Sequence, residues 1–396
     1  MKILSFTTLF PNSIQPGHGV FVANRLRRLA ETGEAEVRVV APVPWIPPGT
    51  WWARRYGRYR DVPRTTFRDG IAVDHPRYMV IPRVGMNLAP ILLALSQYLV
   101  LSRIIRGGYD FDIIDAHYFY PDGVAAALLG YWLNKPVVIT GRGSDLNLIP
   151  SYSVPRRQIQ WAAGRAAAMI TVCQALKQSL IDLGIEPERV TVLRNGVDLA
   201  LFRPYRNVGE RAAERARYGM TGLALVSVGQ LIERKGNHLI VDALKNLPGA
   251  HLYLAGEGPE REALMELAAE RGVAGSVHLL GPVPHEELPR LYAAADALIL
   301  ASSREGWANV LLESMACGTP VIATRVWGTP EVVAAPAAGI LMSERSVAGV
   351  INGVESLFRN LPSRSETRAY AEKFSWNDTT AGQLSLFREI VRAAPI

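Results

Sequence analysis

The stretch Ser302-Ser303-Arg304-Glu305-Gly306-Trp307-Ala308-Asn309-Val310-Leu311-Leu312-Glu313 decides how the rest of the chain is read. It follows Asp296–Ala301, a short apolar run of the kind that forms a buried parallel strand. It leads into Val310–Cys317, which reads as a helix. Glu305 therefore falls on the strand-to-helix turn, and Glu313 falls on the helix eight residues later. At about 3.6 residues per turn, eight steps leave an offset of roughly 80°, so both carboxylates are expected to face one crevice. Between them, the amides of Gly306, Trp307, Ala308, Asn309 and Val310 are the donors of a helix start, a natural seat for an anion. A carboxylate on either side of a phosphate-sized amide cradle suits a nucleotide sugar, with hydroxyls at both ends and a pyrophosphate between. The bland alternative is a pair of solvated charges on an ordinary helix.

Outward from this stretch, short apolar runs alternate with helical patterns over the whole chain. In the first half, strands are expected at Lys2–Phe6, Glu36–Ala41, Ile71–His75, Asp112–His117, Pro136–Thr140, Ala168–Val172 and Val190–Leu193. Helices are expected at Val20–Thr32, Asp122–Leu133 and Gln174–Leu183. In the second half, strands at Leu223–Gly229, His251–Gly256, Val277–Leu280, Asp296–Ala301 and Pro320–Thr324 alternate with helices in the same way. Two successive βαβα runs predict an α/β protein of two doubly wound, Rossmann-like parallel-sheet domains. The break is expected near Phe202-Arg-Pro-Tyr205, giving domains over 1–203 and 204–374, with a last helix over 375–396. Ligands bind at the carboxyl ends of strands in such sheets, so the site is expected in a cleft between the domains.

Length and composition agree. At 396 residues the chain exceeds one ordinary core, and 49% hydrophobic with 20% charged residues is a folded, globular composition. The two cysteines, Cys173 and Cys317, sit in apolar surroundings with no disulfide or metal spacing, which fits a reducing cytoplasm. Met1–Phe6 reads as a strand rather than a signal peptide, since no cleavage site follows. Charge is uneven. Residues 1–203 hold 24 Lys and Arg against 15 Asp and Glu, while the remainder hold 19 against 21. A basic first half implies an anionic partner there, such as a membrane surface, a lipid phosphate or a nucleic acid.

Several segments resemble the family 4 retaining glycosyltransferases. They are the Glu-x7-Glu stretch, Cys317-Gly-Thr-Pro-Val-Ile-Ala323 and Gly328-Thr-Pro-Glu331, with Asp115-Ala-His117-Tyr-Phe-Tyr-Pro-Asp-Gly123 and Thr140-Gly-Arg-Gly-Ser-Asp145 in the first half. The resemblance implies a GT-B architecture and transfer of a sugar from a nucleoside diphosphate donor to an acceptor hydroxyl, with retention of configuration; no acidic metal-binding pair follows a strand, so no metal or other cofactor is expected. It implies that Glu305 orients the donor sugar, that Glu313 holds ribose hydroxyls, and that His117 lies beside the sugar. It carries Gly19, the glycine before the first helix, onto the donor diphosphate. Lys235, at a helix start after Val228-Gly229-Gln230, becomes a phosphate ligand. Where the family commonly has a second cation this chain has Gln230, and Arg234 is expected to compensate. The loop Gly281-Pro282-Val283-Pro284-His285 resembles the one whose backbone meets the nucleobase. The last helix, from Phe374-Ser-Trp376 to Val391, would cross back onto the first domain.

Other residues stay open between two roles. Asp145 either contacts an acceptor or caps a turn. Asn195-Gly196 is foremost a turn signal, and Arg25, Arg27 and Arg28 read as a solvated helix face. In residues 45–68, Trp45, Trp51, Trp52, Tyr56, Tyr59 and Phe67 are interleaved with Arg54, Arg55, Arg58, Arg60, Arg64 and Arg68. This pattern suits a bilayer interface, or else an ordered loop packed on its own domain. Nucleic-acid stacking has no further module to support it. Leu88–Ile105 is apolar, but Pro90, Gln97 and Arg103 make a poor membrane span of it, and a buried helix is expected.

The expected partners are therefore a nucleotide-sugar donor and a lipid-linked or polysaccharide acceptor, with peripheral contact at the inner face of the membrane. The setting implied is assembly of a cell-surface polysaccharide or glycolipid. Two alternatives share the fold. One is a nucleotide-sugar epimerase or phosphorylase; the other is a non-catalytic, membrane-associated nucleotide-sugar binding protein.

Overall fold

Strand β1 (Lys2–Phe6) is the middle of an eight-stranded sheet. It pairs in parallel with β2 (Glu36–Val40) on one side and β7 (Ile113–His117) on the other. Beyond β7 lie β8 (Val137–Gly141), β9 (Ala168–Thr171) and β10 (Val190–Val192), all parallel. β7 and β8 are buried at every residue, as expected of parallel strands covered on both faces. Two short strands, β3 (Val43–Trp45) and β6 (Arg77–Met79), pair separately from this sheet. The computed structural model describes residues 1–46, 57–81, 85–205 and 207–393.

The other edge departs from expectation. Within the region read as irregular, Thr65–Arg68 forms β4, antiparallel to β5 (Ile71–Asp74) at the sheet edge. The turn Gly57–Asp61 is pinned by Arg77, which donates to the carbonyls of Arg60 and Val62. Trp51, Trp52, Arg54, Arg55 and Tyr56 lie outside the described residues. Of the described aromatics there, Phe67 is exposed and Tyr59 is half-buried.

The longer helices of this unit are α1 (Val20–Glu31), α2 (Ala89–Arg106), α3 (Val124–Leu133), α4 (Ser153–Arg165) and α5 (Gln174–Asp182). The unit also takes up the chain's last helix, since Met1–Arg194 and Trp376–Ile396 form one compact body. Leu384 and Phe387 of that final helix (Trp376–Ala393) join Val22, Leu26 and Leu29 of α1 in one apolar cluster. Truncating Phe387, which has no exposed surface, would cost about 3–5 kcal/mol. Arg25 is also buried here, against the expectation of a solvated face. Its Nε donates to Gln383 Oε1 at 2.8 Å and its Nη1 to the Leu193 carbonyl at 3.3 Å.

The second unit, Asn195–Ser375, begins earlier than expected, at Asn195 rather than residue 204. Arg368 explains the shift. Its guanidinium donates to the carbonyls of Leu199, Phe202 and Ala316, so residues 199–202 are held within this unit. Its six-stranded parallel sheet runs in the order β13 (Val277–Gly281), β12 (Ala250–Ala255), β11 (Leu223–Val228), β14 (Ala297–Leu300), β15 (Val321–Thr324), β16 (Gly339–Met342). The last of these was not foreseen. Leu252, Leu254, Ile299 and Ile322 fill the core on one face, against the helices Asn237–Ala243 and Val347–Arg359.

Candidate active site

In the second unit, the loops after β11 and β14 are built to meet. Gly236 is left-handed at φ 71°, and a Cβ on it would lie 2.1 Å from the Ala301 carbonyl oxygen, so only glycine permits the approach. The Ser303 amide donates to the Arg234 carbonyl at 2.8 Å, and Arg234 Nη1 donates back to the Arg304 carbonyl at 2.6 Å. This locks the turn carrying Lys235 against the turn carrying Glu305. Lys235 Nζ then donates to Glu305 Oε1 at 2.7 Å, and Arg234 Nη1 lies 3.5 Å from the same oxygen. Burial pushes the Glu305 carboxyl up, but Lys235 and Arg234 outweigh it and hold it below the ordinary range. The end of the Lys235 side chain also fills the space beside Gly229, just past β11, where a Cβ would stand 3.4 Å from Lys235 Cε. Gln230 is exposed, and the second cation beside Lys235 is Arg234.

Downstream of Glu305, the helix begins at Asn309, one residue before the expected Val310, and runs to Ala316. The segment 305–308 is not helical, so an angular offset counted from Glu305 does not apply. Glu313 belongs to a separate set of partners. Tyr292 donates to its Oε2 at 3.0 Å, and His285 Nε2 lies 3.5 Å from its Oε1. The hydrogen bond to Glu313 raises the His285 pKa. Burial, with Glu313 nearby, holds the Tyr292 phenol well above its usual range. Both glutamates are thus partly buried and partnered, and the solvated-charge alternative falls. Gly281, which ends β13, accepts the Gly256 amide at 2.7 Å; Pro282 is exposed and Val283 half-buried in the loop beyond.

The turn between the two glutamates is held by a residue read only as a turn signal. Asn195 Nδ2 donates to Asn309 Oδ1 at 3.1 Å, and the Asn195 carbonyl accepts Trp307 Nε1 at 3.2 Å. Trp307 and Ala308 are buried, so of the expected donor-binding residues these two serve with packed side chains. Gly306 and Val310 are half-buried, and Val310 stands in the first turn of the helix.

The first unit places its charges differently. His117, at the end of β7, has no exposed surface. Arg142 Nη2 donates to its Nδ1 at 2.8 Å; a guanidinium can only donate, so Nδ1 is the acceptor and the proton sits on Nε2. That nitrogen lies 3.3 Å from Asp115 Oδ2. Burial and the Arg142 charge push the His117 pKa down to about 4, Asp115 opposing. Burial raises the Asp115 carboxyl, but His117, Arg25 and Arg142 bring it below its ordinary range. Gln383 of the final helix closes the set, donating to Asp115 Oδ2 at 2.9 Å. Protein groups thus lie near both ring nitrogens, Arg142 bonded at Nδ1 and Asp115 at 3.3 Å from an Nε2 that makes no hydrogen bond.

Asp145 resolves in favour of the turn. It accepts the amides of Phe119, Arg142 and Gly143 and is fully buried, so it is not placed to meet an acceptor. Gly19 is left-handed at φ 70°, and a Cβ there would lie 2.3 Å from the Leu9 carbonyl oxygen. The loop it closes is anchored at its start by Asp122, which accepts the Thr8 amide at 2.6 Å and the hydroxyls of Thr7 and Thr8. Sequence reasoning missed Asn195, Arg142, Tyr292 and Gln383. The signal available was a polar residue inside an apolar helical face, as with Gln383 beside Leu384 and Phe387.

Two units built on parallel sheets, one carrying a Lys–Arg–Glu cluster on its βα turns, define a doubly wound α/β protein. Comparison with known proteins narrows this. A family model described as Glycosyltransferase Family 4 matches residues 16–201, and one described as Glycosyl transferases group 1 matches residues 212–374. A D-inositol 3-phosphate glycosyltransferase of Acidothermus cellulolyticus is 30% identical over 403 residues, covering 94% of this chain and 85% of the relative. A Bacillus subtilis protein named for teichuronic acid biosynthesis, the glycosyltransferase TuaC, is 29% identical over 333 residues, 83% and 82% of the two chains. Among solved structures, sucrose-phosphate synthase from Thermosynechococcus elongatus superposes with TM-score 0.79 at 18% identity, covering 99% of both chains. Anabaena HepE in complex with UDP superposes with TM-score 0.74 at 21% identity, covering 98% of this chain and all of that one. The chain belongs to the family 4 glycosyltransferases, of GT-B fold.

Proposed function

We propose that this glycosyltransferase takes a nucleoside diphosphate sugar as donor, retains the anomeric configuration, and needs no metal. The observation that carries this reading is the Lys235–Arg234–Glu305 cluster beside the helix start at Asn309. Negative charge develops on the departing diphosphate, and preorganised cations and helix-start amides stabilise it without reorganising. An ionised carboxylate has about four acceptor positions, so Glu305 can keep its cations and still accept donor sugar hydroxyls. Glu313, held by Tyr292 and His285, takes the ribose hydroxyls in this reading, and its partial exposure supports that role. The binding of UDP by HepE supports a donor of this class. His117 acts here as a positioning residue at the end of β7, working through Arg142 and Asp115.

The acceptor is a lipid-linked or polysaccharide hydroxyl in cell-surface assembly, met from the cytoplasm at the inner face of a membrane. The name of TuaC supports the polymer. The basic first unit supports the membrane setting: residues 1–194 with 376–396 hold 25 Lys and Arg against 16 Asp and Glu.

The test is a thermal-shift panel of UDP-, GDP-, ADP- and dTDP-sugars, since a ligand of the native state raises apparent stability. Transfer with the shifting donor is then run in excess chelator, and the product anomer is read by NMR. One donor class should raise the melting temperature, activity should persist, and the product should keep the donor's configuration. Loss of activity with chelator rejects the metal-independent reading; an inverted product rejects retention.

A further inference from the structure

We infer that the outer face of α2, α3 and α4 is a docking surface for an anionic lipid bilayer, on which the chain lies without crossing. This rests on the membrane setting proposed above and relocates the contact from residues 45–68. Helix α2 was expected to be a buried core helix. It is not: only 33% of its apolar window is buried. Leu88, Ile91, Leu95 and Leu99 are 40–57% exposed, at spacings of three or four that set them on one stripe. The opposite side, with Leu93, Leu101 and Ile104, faces the unit's own core.

The stripe continues across the neighbouring helices. Tyr98 of α2 meets the Trp132 ring of α3 edge-on at 5.8 Å. Arg165 of α4 lies 5.0 Å over the exposed Tyr131 ring and 6.0 Å from that of Trp161. Aliphatic, tyrosine and tryptophan side chains thus form one surface, larger than scattered apolar residues produce. Aromatic groups of this kind favour the headgroup level, with rings buried and polar ends wet.

Charge selects the occupant. None of the three helices contains an aspartate or glutamate, and together they carry Arg103, Arg106, Arg156, Arg157 and Arg165. Asp110, just past α2, is held by Lys135 at 2.7 Å. A protein partner would ordinarily be met by charges of both signs; a stripe flanked only by arginines matches a sheet of lipid phosphates. Eighteen residues ending in two arginines are short of the roughly 20 apolar residues of a span, and one face is committed to the fold.

The experiment is sedimentation of the full chain with sucrose-loaded vesicles, of phosphatidylcholine alone or with roughly one third phosphatidylglycerol. The intact protein should bind the anionic vesicles at least about tenfold more tightly, weakening as salt rises from about 0.1 M to 1 M. Leu95→Glu/Leu99→Glu should lower binding to both vesicle types by about tenfold or more. Arg156→Glu/Arg157→Glu reverses two exposed charges, with loss of the Arg156 hydrogen bond to the Pro150 carbonyl, and should abolish the anionic preference. Absence of vesicle binding by the intact protein overturns the proposal. So does a Phe67→Glu variant weakened as much as the leucine pair, which would return the contact to residues 45–68. A dimer in light scattering that the leucine variant dissolves would make a second copy the occupant. Transfer to a water-soluble acceptor, measured alongside, separates failure of this surface from failure of the enzymatic reading.

Discussion

Both units set cations and carboxylates at the carboxyl ends of parallel strands, but one set is sealed and the other is reachable. Asp115 and His117 have no exposed side-chain surface, whereas Glu305, Lys235 and Arg234 keep 11%, 14% and 28% of theirs. In the sealed set every charge answers another protein group, and the histidine is kept neutral. In the open set, rigid turns hold the charges while leaving them within reach of solvent. The same point of the same fold therefore yields a buried set in one unit and a solvent-accessible set, the proposed donor site, in the other. What separates them is how far neighbouring chain covers the strand ends, as Gln383 does over Asp115.

The sharpest way to break this contrast is to remove a member of the sealed set. Arg142→Leu should cost about 3–5 kcal/mol of stability, because it removes a cation near the buried Asp115 and leaves His117 Nδ1 without its donor. Chemical denaturation with hydrogen exchange on β7 and β8 measures it. The sealed set also has a pH signature. The folded pKa of His117 is about 4, below its unfolded value, so the folded state binds fewer protons between them. Stability of the first unit should then be complete above about pH 6.5 and fall by roughly 3 kcal/mol as pH drops to 4. His117→Gln should flatten that slope.

In the open set the effect should move from stability to turnover. Glu305→Gln is expected to lower kcat/KM by about 10²–10³-fold, with a melting temperature close to that of the parent. A variant that unfolds instead would make Glu305 as structural as Asp115. Next in size, Lys235→Ala and Arg234→Ala should each weaken donor binding about tenfold by calorimetry. If Arg234→Ala leaves affinity unchanged while Lys235→Ala abolishes it, Arg234 does not stand in for the cation absent at Gln230.

The smallest effect concerns His285, whose pKa is raised by its hydrogen bond to Glu313. A raised folded pKa contributes stability that is complete below about pH 6.5 and lost as pH climbs through the folded value. His285 is partly exposed, so the loss should stay under about 1 kcal/mol. His285→Ala should remove it from the pH dependence of the second unit's melting.

Much of this was legible in the chain alone. Continuous apolar runs of four to six residues, punctuated by helical periods, located nearly every parallel strand to within a residue or so, because a strand buried on both faces must be apolar throughout. Lys235 and Glu305 were legible because the turns bearing them follow such runs. Less visible were β3, β4, β6 and β16, whose short segments carry little pattern. The start of the second unit at Asn195 rests on hydrogen bonds from Arg368, far along the chain.

The sequence by itself determined the strand and helix periods, the family, the basic character of the first half and the residue types of the proposed donor site. These follow from local spacing and solvent preference. Only the tertiary structure decided which charges face water. It buried Arg25, His117 and Asp145, turned Asn195 from a loop signal into a clamp on the 307–309 turn, and left one side of α2 bare. Burial is fixed by what packs over a residue from distant parts of the chain, and no window of neighbouring residues contains that information.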